Sequence, residues 1–208
     1  MACMAVRSRA CERATCCARP RITLRTRMPA LSRVLSAFGW AVTARRLPER
    51  CVQLEVVNHV SWNDNYGHAS GDALLRELAQ LLRAAASNPG EIVARNGGDE
   101  FSVVFADAEK SSAIERAERL RASIAAADFS GLHAHGSGRE EVKISASIGV
   151  ACFPVDAQSP SAVLGKADEA MYHSKKTGRD GVSFFGLDGT LIRAEAGAAG
   201  RTIERRRE

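Results

Sequence analysis

Arg95-Asn96-Gly97-Gly98-Asp99-Glu100-Phe101 is the stretch on which the fold turns. Ile92-Val93-Ala94 precedes it and Ser102-Val103-Val104-Phe105-Ala106 follows, so two short β-prone runs flank a Gly-Gly turn. That pattern predicts a hairpin. Its turn presents Asp99 and Glu100 beside bare backbone, an arrangement suited to a divalent cation and the phosphates it carries. The same pattern also occurs in plain solvated turns, so its weight depends on the rest of the chain.

Upstream of the hairpin, Leu74, Leu75, Leu78, Leu81 and Leu82 recur at helical spacing, with Arg76, Glu77, Gln80 and Arg83 on the opposite face. Gly71-Asp72 opens this helix and Asn88-Pro89-Gly90 stops it. Before it, residues 58–70 read as polar and irregular, and Cys51–Val57 reads as a buried strand. A helix is expected from Thr23 to about Arg46. Downstream, Lys110–Ala127 is amphipathic, with Ile114, Ala117, Leu120 and Ile124 inward, and residues 128–140 form a glycine-containing loop. Val142, Ile144, Ala146, Ile148 and Val150 alternate with Lys143, Ser145 and Ser147, which predicts a strand with one face on a core. Ala162–Lys176 reads as a helix capped by Gly178, and Val182–Phe185 as a last strand. A β-α-β-β-α-β core of this kind is α/β (α+β): a mostly antiparallel sheet covered by helices, palm or ferredoxin-like. That topology lets the end of the first strand, at Glu55, lie beside the hairpin turn, where Glu55 and Asp99 would share one cation.

The 208 residues and 45% hydrophobic content fit one domain with a real core. The net charge of +5 is concentrated at the start, where residues 1–27 hold seven arginines against Glu12 alone. The remainder is close to neutral, which argues against a nucleic-acid-binding face. No apolar run is long enough for a membrane span. Cys3, Cys11, Cys16 and Cys17 crowd the same arm, with only Cys51 and Cys152 elsewhere, so neither a disulfide framework nor a zinc site is indicated. A cytoplasmic location is expected. The expected organisation is a disordered or non-native arm over 1–22, one domain over 23–186, and a flexible tail over 187–208.

The motifs resemble those of the GGDEF family, the diguanylate cyclases. The signature is complete as Gly97-Gly98-Asp99-Glu100-Phe101. Asn63-Asp64-Asn65-Tyr66-Gly67-His68 with Gly71-Asp72, Ser145-Ala146-Ser147-Ile148-Gly149-Val150, and Ala167-Asp168 through Tyr172, Lys175 and Gly178-Arg179 are similar to three further family blocks, in the family's order over about 50–186. The resemblance implies that each domain holds GTP with Mg²⁺ (or Mn²⁺). In a homodimer, each 3′-hydroxyl would attack the other nucleotide's α-phosphorus, giving cyclic di-GMP and two pyrophosphates. It implies metal ligation by Glu55, the Val56 backbone carbonyl and Asp99, with Glu100 aiding metal binding or deprotonation of the hydroxyl. Gly97 and Gly98 would admit the phosphates, Asn63 and Asp72 would read guanine, and Lys175 and Arg179 would contact phosphate. Asp72 could equally be a helix N-cap, and Lys175 and Arg179 solvated cations favoured by the helix dipole. Trp62 reads as core, His68 as packing beside the loop, and Asp168 and Tyr172 as fixing their helix. An upstream sensor or regulatory partner is expected.

This sequence departs from the family at Glu55-Val56-Val57-Asn58-His59-Val60, where Asp-x-Asp-x-Phe-Lys is usual. Glu55 keeps a carboxylate, Val57 loses the second acid, and Val60 loses a phosphate lysine worth about 1.5–3 kcal/mol of binding. Upstream, Arg21–Arg27 matches the family's opening only in part. The product-inhibition motif is absent, with Asn88 and Glu91 at its positions, so no feedback is expected there. Diguanylate cyclase activity is the leading expectation; an impaired domain that binds GTP to regulate a partner is the alternative.

Overall fold

The computed structural model describes residues 49–106, 109–132 and 141–195. The expected arm, the expected helix over 23–46 and the last part of the expected tail lie outside these residues. Six strands, β1 (Glu49–Val57), β2 (Ile92–Gly97), β3 (Glu100–Ala106), β4 (Ser145–Cys152), β5 (Gly181–Phe185) and β6 (Leu191–Arg193), form one sheet in the order β2-β3-β1-β4-β5-β6. All pairings are antiparallel except β4 with β5. The four strands β2-β3-β1-β4 reproduce the expected ferredoxin-like core, in which β1 and β2 are joined through helices and separated by β3.

Period-2 alternation in the strands sends side chains to two faces. Phe101, Val103 and Phe105 of β3, and Ala146, Ile148, Val150 and Cys152 of β4, join Val182 and Phe184 on one face. Two helices cover that face: α2 (His68–Ala85) through Leu74, Leu75, Leu78 and Leu82, and α3 (Lys110–Ala126) through Ala113, Ile114, Ala117, Leu120 and Ile124. On the other face, Ala94, Val104 and Ala151 pack against Val163, Leu164 and Ala167 of α4 (Pro160–Lys176). Gly149 lets α4 approach: a Cβ there would sit 2.0 Å from the Ala167 carbonyl oxygen and 2.2 Å from the Met171 nitrogen. Ser159 caps α4 by accepting from the Ala162 N–H at 3.3 Å, with Pro160 in the first turn.

Four expectations are corrected. Residues 58–70 are not irregular: α1 (His59–Tyr66) follows β1 directly, and Gly67, at φ 82, separates it from α2. β4 begins at Ser145 rather than Val142, and α4 covers its second face, leaving Ser147 fully buried. Ser130–Leu132 in the expected loop is a short 3-10 turn beside buried Phe129. The tail does not start at 187, because β6 extends the sheet by pairing Ser183 with Arg193.

Candidate functional site

The β2–β3 turn is narrow and braced from within. Gly97 pairs with Glu100, leaving Gly98 and Asp99 as the two turn residues, and Gly98 has φ 50. A hairpin turn with positive φ at its first position favours glycine there. Arg95 Nε donates to the Gly98 carbonyl at 2.7 Å, and Ser102 Oγ donates to Asn96 Oδ1 at 2.9 Å. A Cβ at Gly97 or Gly98 would meet nothing within 4 Å, so this backbone is bare on its outer side. Half-buried Asp99 places Oδ2 3.8 Å from Nδ1 of His59, the first residue of α1.

Strand register brings β1 to this turn. Glu55 pairs with Glu100 on one side and with Ser147 on the other, and Ser147 pairs with Gly181. Directly opposed residues share a face, so positions 100, 55 and 147 form a row across β3, β1 and β4. Asp99 adjoins that row at its hairpin end. Val56 pairs with Ala146 and Val57 with Ser145, in the last two register positions of β1. Ser147 Oγ is buried with no hydrogen-bond partner. Among the described residues, no three His, Cys, Asp or Glu side chains form a metal-ligating cluster. What the turn offers is Asp99 with His59, Glu100 and open backbone, with strand position 55 paired beside position 100. The carboxylates of this turn suit a divalent cation such as Mg²⁺, which is held by one or two carboxylates together with substrate phosphates.

The corner between α1 and α2 springs from the same edge. Trp62 is buried and donates through Nε1 to Ser70 Oγ at 2.9 Å; Ser70 in turn donates to the Leu132 carbonyl at 2.9 Å. Trp62 is therefore core, as expected. Asn63 Oδ1 is buried without a partner. It lies against Gly71, where a Cβ would stand 1.8 Å from it. Asp72 follows Gly71 and is exposed. The N-cap of α2 is Gly67, which removes the capping alternative for Asp72. His68 is exposed at the first position of α2.

α4 runs back along the sheet, so its C-terminus returns to the edge where β5 begins. Lys175 lies in its last turn, whereas Arg179 lies beyond the helix end, with φ 55. The two cations, four residues apart, are thus one helix residue and one turn residue. Gly178 has φ 113, and the Arg179 N–H donates to the Ser174 carbonyl at 3.0 Å, the bond of a Schellman motif. Arg193 of β6 holds this turn. Its Nη1 donates to the Ser174 carbonyl, the Thr177 carbonyl and Thr177 Oγ1 at 3.3, 2.9 and 3.2 Å. Its Nη2 donates to the Arg179 and Asp180 carbonyls at 2.6 and 3.0 Å. Asp168 and Tyr172, expected to fix α4, are exposed, and Tyr172 packs under Lys176 Nζ at 4.5 Å.

The three groups therefore lie along one edge of the sheet: the hairpin turn with the end of β1, the α1–α2 corner, and the end of α4. Sequence reasoning missed His59, Ser147 and Arg193. The latter two read as strand and tail residues, and nothing local marks them.

Away from this edge, Glu91 and Arg116 make a closed ion pair. The fully buried Glu91 carboxylate accepts from Arg116 Nη1 at 2.5 Å and Nη2 at 2.8 Å, and from the Asn88 N–H at 3.1 Å. Burial pushes the Glu91 carboxyl up, but hydrogen bonds from Arg116 and Asn88 and the guanidinium charge outweigh it and hold the pKa below 4.5. Arg116 also donates to the Ala85 carbonyl and lies 3.7 Å over the Phe105 ring. A cavity of about 580 Å³ beside it, lined by Leu81, Asn88, Arg116 and Arg119, lies between the C-terminal end of α2 and the facing side of α3.

No helix among the described residues is long and apolar enough to cross a membrane. The chain is 42% identical over 123 residues to the bifunctional diguanylate cyclase/cyclic di-GMP phosphodiesterase MucR of Pseudomonas aeruginosa, covering 59% of this chain and 17% of that protein. It is 35% identical over 121 residues to diguanylate cyclase A of Treponema denticola, covering 58% of this chain and 31% of that protein. The match thus spans less than a third of either relative. Among solved structures, the GGDEF domain of TpbB (YfiN) from Pseudomonas aeruginosa superposes with a TM-score of 0.66 at 29% identity, covering 78% of this chain and 92% of that one. The family model described as diguanylate cyclase, GGDEF domain, matches residues 44–181, a span that contains the glycine turn, the α1–α2 corner and the α4 terminus. With the signature on its hairpin and the fold around it, the chain belongs to the GGDEF family of diguanylate cyclases.

Proposed function

We propose that this domain condenses two GTP molecules into cyclic di-GMP, two copies meeting with their sheet edges opposed. One observation carries the reading: the register sets Glu55 beside Glu100, with Asp99 next to it on a bare Gly-Gly turn. Bound Mg²⁺ or Mn²⁺ would draw charge from the triphosphate and lower the pKa of the attacking hydroxyl. Glu55, the Val56 carbonyl and Asp99 hold that ion, and Glu100 assists. Gly97 and Gly98 let the phosphates approach the backbone. Asn63 Oδ1, buried and unpartnered, accepts from guanine N–H groups, while Asp72 accepts from the same edge. Lys175 and Arg179 contact phosphate from the α4 end. Each 3′-oxygen forms a bond to the partner nucleotide's α-phosphorus as the bond to pyrophosphate breaks, and the hydroxyl proton leaves to base.

Val60, 67% exposed on α1 at the position where the family's usual motif has lysine, favours a second reading: a domain that holds GTP and regulates a partner without turnover. The purified protein, incubated with GTP and Mg²⁺ or Mn²⁺ at dimer-forming concentrations, is expected to form cyclic di-GMP, and the Asp99→Ala variant none. Wild type that binds GTP yet yields no product overturns the catalytic reading and supports the second.

A further inference from the structure

We infer that His59 supplies a nitrogen ligand to the ion held by Asp99, giving this site a preference for Mn²⁺ over Mg²⁺. The inference rests on the metal site proposed above and deepens it. His59 Nδ1 and Asp99 Oδ2 stand 3.8 Å apart, beyond the reach of an N–H···O hydrogen bond. Two ligand atoms with metal bonds of about 2.0–2.2 Å can bracket one ion at that separation.

The imidazole is not a wandering surface group. Its side chain is only 13% exposed. It opens α1 directly after Asn58, whose Nδ2 donates to the Lys143 carbonyl at 2.8 Å and whose backbone takes the left-handed conformation that turns the chain from β1 into α1. Trp62 anchors the same helix in the core. The junction therefore fixes where the ring begins, and the Gly98–Asp99 turn comes to meet it. Mg²⁺ takes oxygen ligands and gives up its waters reluctantly; Mn²⁺ also favours oxygen ligands, but as a softer first-row transition-metal ion it exchanges a water for an imidazole nitrogen more readily than Mg²⁺ does. A ring nitrogen in this position therefore shifts the balance toward Mn²⁺ relative to an all-oxygen set.

The test is pulsed EPR on the full chain with Mn²⁺ and 3′-deoxy-GTP, which lacks the attacking hydroxyl, in slightly alkaline buffer so that ligands are deprotonated. Directly bonded imidazole gives a ¹⁴N coupling to Mn²⁺ that a nearby unbound ring does not. The expected result is that coupling in wild type and its loss in His59→Phe. Titration of the variant should show Mn²⁺ affinity lower by about ten- to a hundredfold, at least the loss seen when a residue that supports a ligand is removed. Mg²⁺ affinity should change far less. Mn²⁺ bound to wild type without ¹⁴N coupling, or coupling that persists in His59→Phe, overturns the inference and leaves the proposed function standing. No Mn²⁺ binding at all, with nucleotide present, overturns both. A wild-type spectrum without the coupling overturns the inference whether or not the variant folds.

Discussion

Asn63 and Gly71 belong to different helices yet compete for one volume. Because the atom a Gly71 Cβ would strike is the end of a flexible amide, Gly71→Ala displaces Asn63 rather than unfolding α2. We expect GTP binding weakened about tenfold or more, with stability changed by less than about 1 kcal/mol, measured by calorimetry and thermal melts of the same preparation. Val60→Lys should act in the opposite sense, tightening GTP binding by about 1.5–3 kcal/mol through a charged phosphate contact; an unchanged dissociation constant counts against that role. Glu91 behaves differently because it is sealed. Its pKa is lowered by folding, so its contribution is present above pH 4.5 and fades as acidification passes through the lower folded value. Arg116→Ala should cost about 3 kcal/mol at neutral pH by stranding that carboxylate. Denaturant melts between about pH 6 and pH 3 should show a smaller acid loss in the variant than in wild type.

At the scale of elements, legibility followed the amount of core each segment touches. α2 and α3 could be read because leucine and isoleucine stripes at helical spacing face the sheet. The hairpin could be read because two apolar runs meet a glycine pair. α1 could not: it buries Trp62 alone and shows no apolar stripe, so its helicity follows from what surrounds it. β6 has three half-buried residues and owes its place to pairing with β5, which no local pattern announces. The second face of β4 was misjudged for a related reason. Ser147, Gly149 and Ala151 look polar or small, as solvated positions do, but they are small because α4 lies directly on them. Gly149→Ala makes that explicit: backbone atoms at 2.0 and 2.2 Å cannot step aside as a side-chain end can. A loss of about 3 kcal/mol or more is expected from chemical denaturation, and a neutral result would show that α4 can shift outward at little cost.

For the whole molecule, the site is legible in sequence as separate motifs and becomes a site only through register. Glu55, Asp99 and the α4 terminus are remote along the chain; antiparallel pairing of β1 with β3 and β4, and parallel pairing of β4 with the β5 that follows α4, gathers them at one edge. Under the proposed reaction this edge would serve half of it, since each GTP would need a partner's. Specific activity should therefore rise with protein concentration and fall on dilution, while GTP affinity stays constant. A rate per molecule independent of concentration over a hundredfold range would contradict this. Arg193 adds something of another kind. One guanidinium clasps five oxygens around the Arg179 turn, so the strand that carries it works as a tether on that turn. Strain applied beyond Ala194, by a docked neighbour or an attached load, would reach the Arg179 turn through these bonds, and the C-terminal strand would then be a lever on the place where the proposed reaction puts its nucleotide.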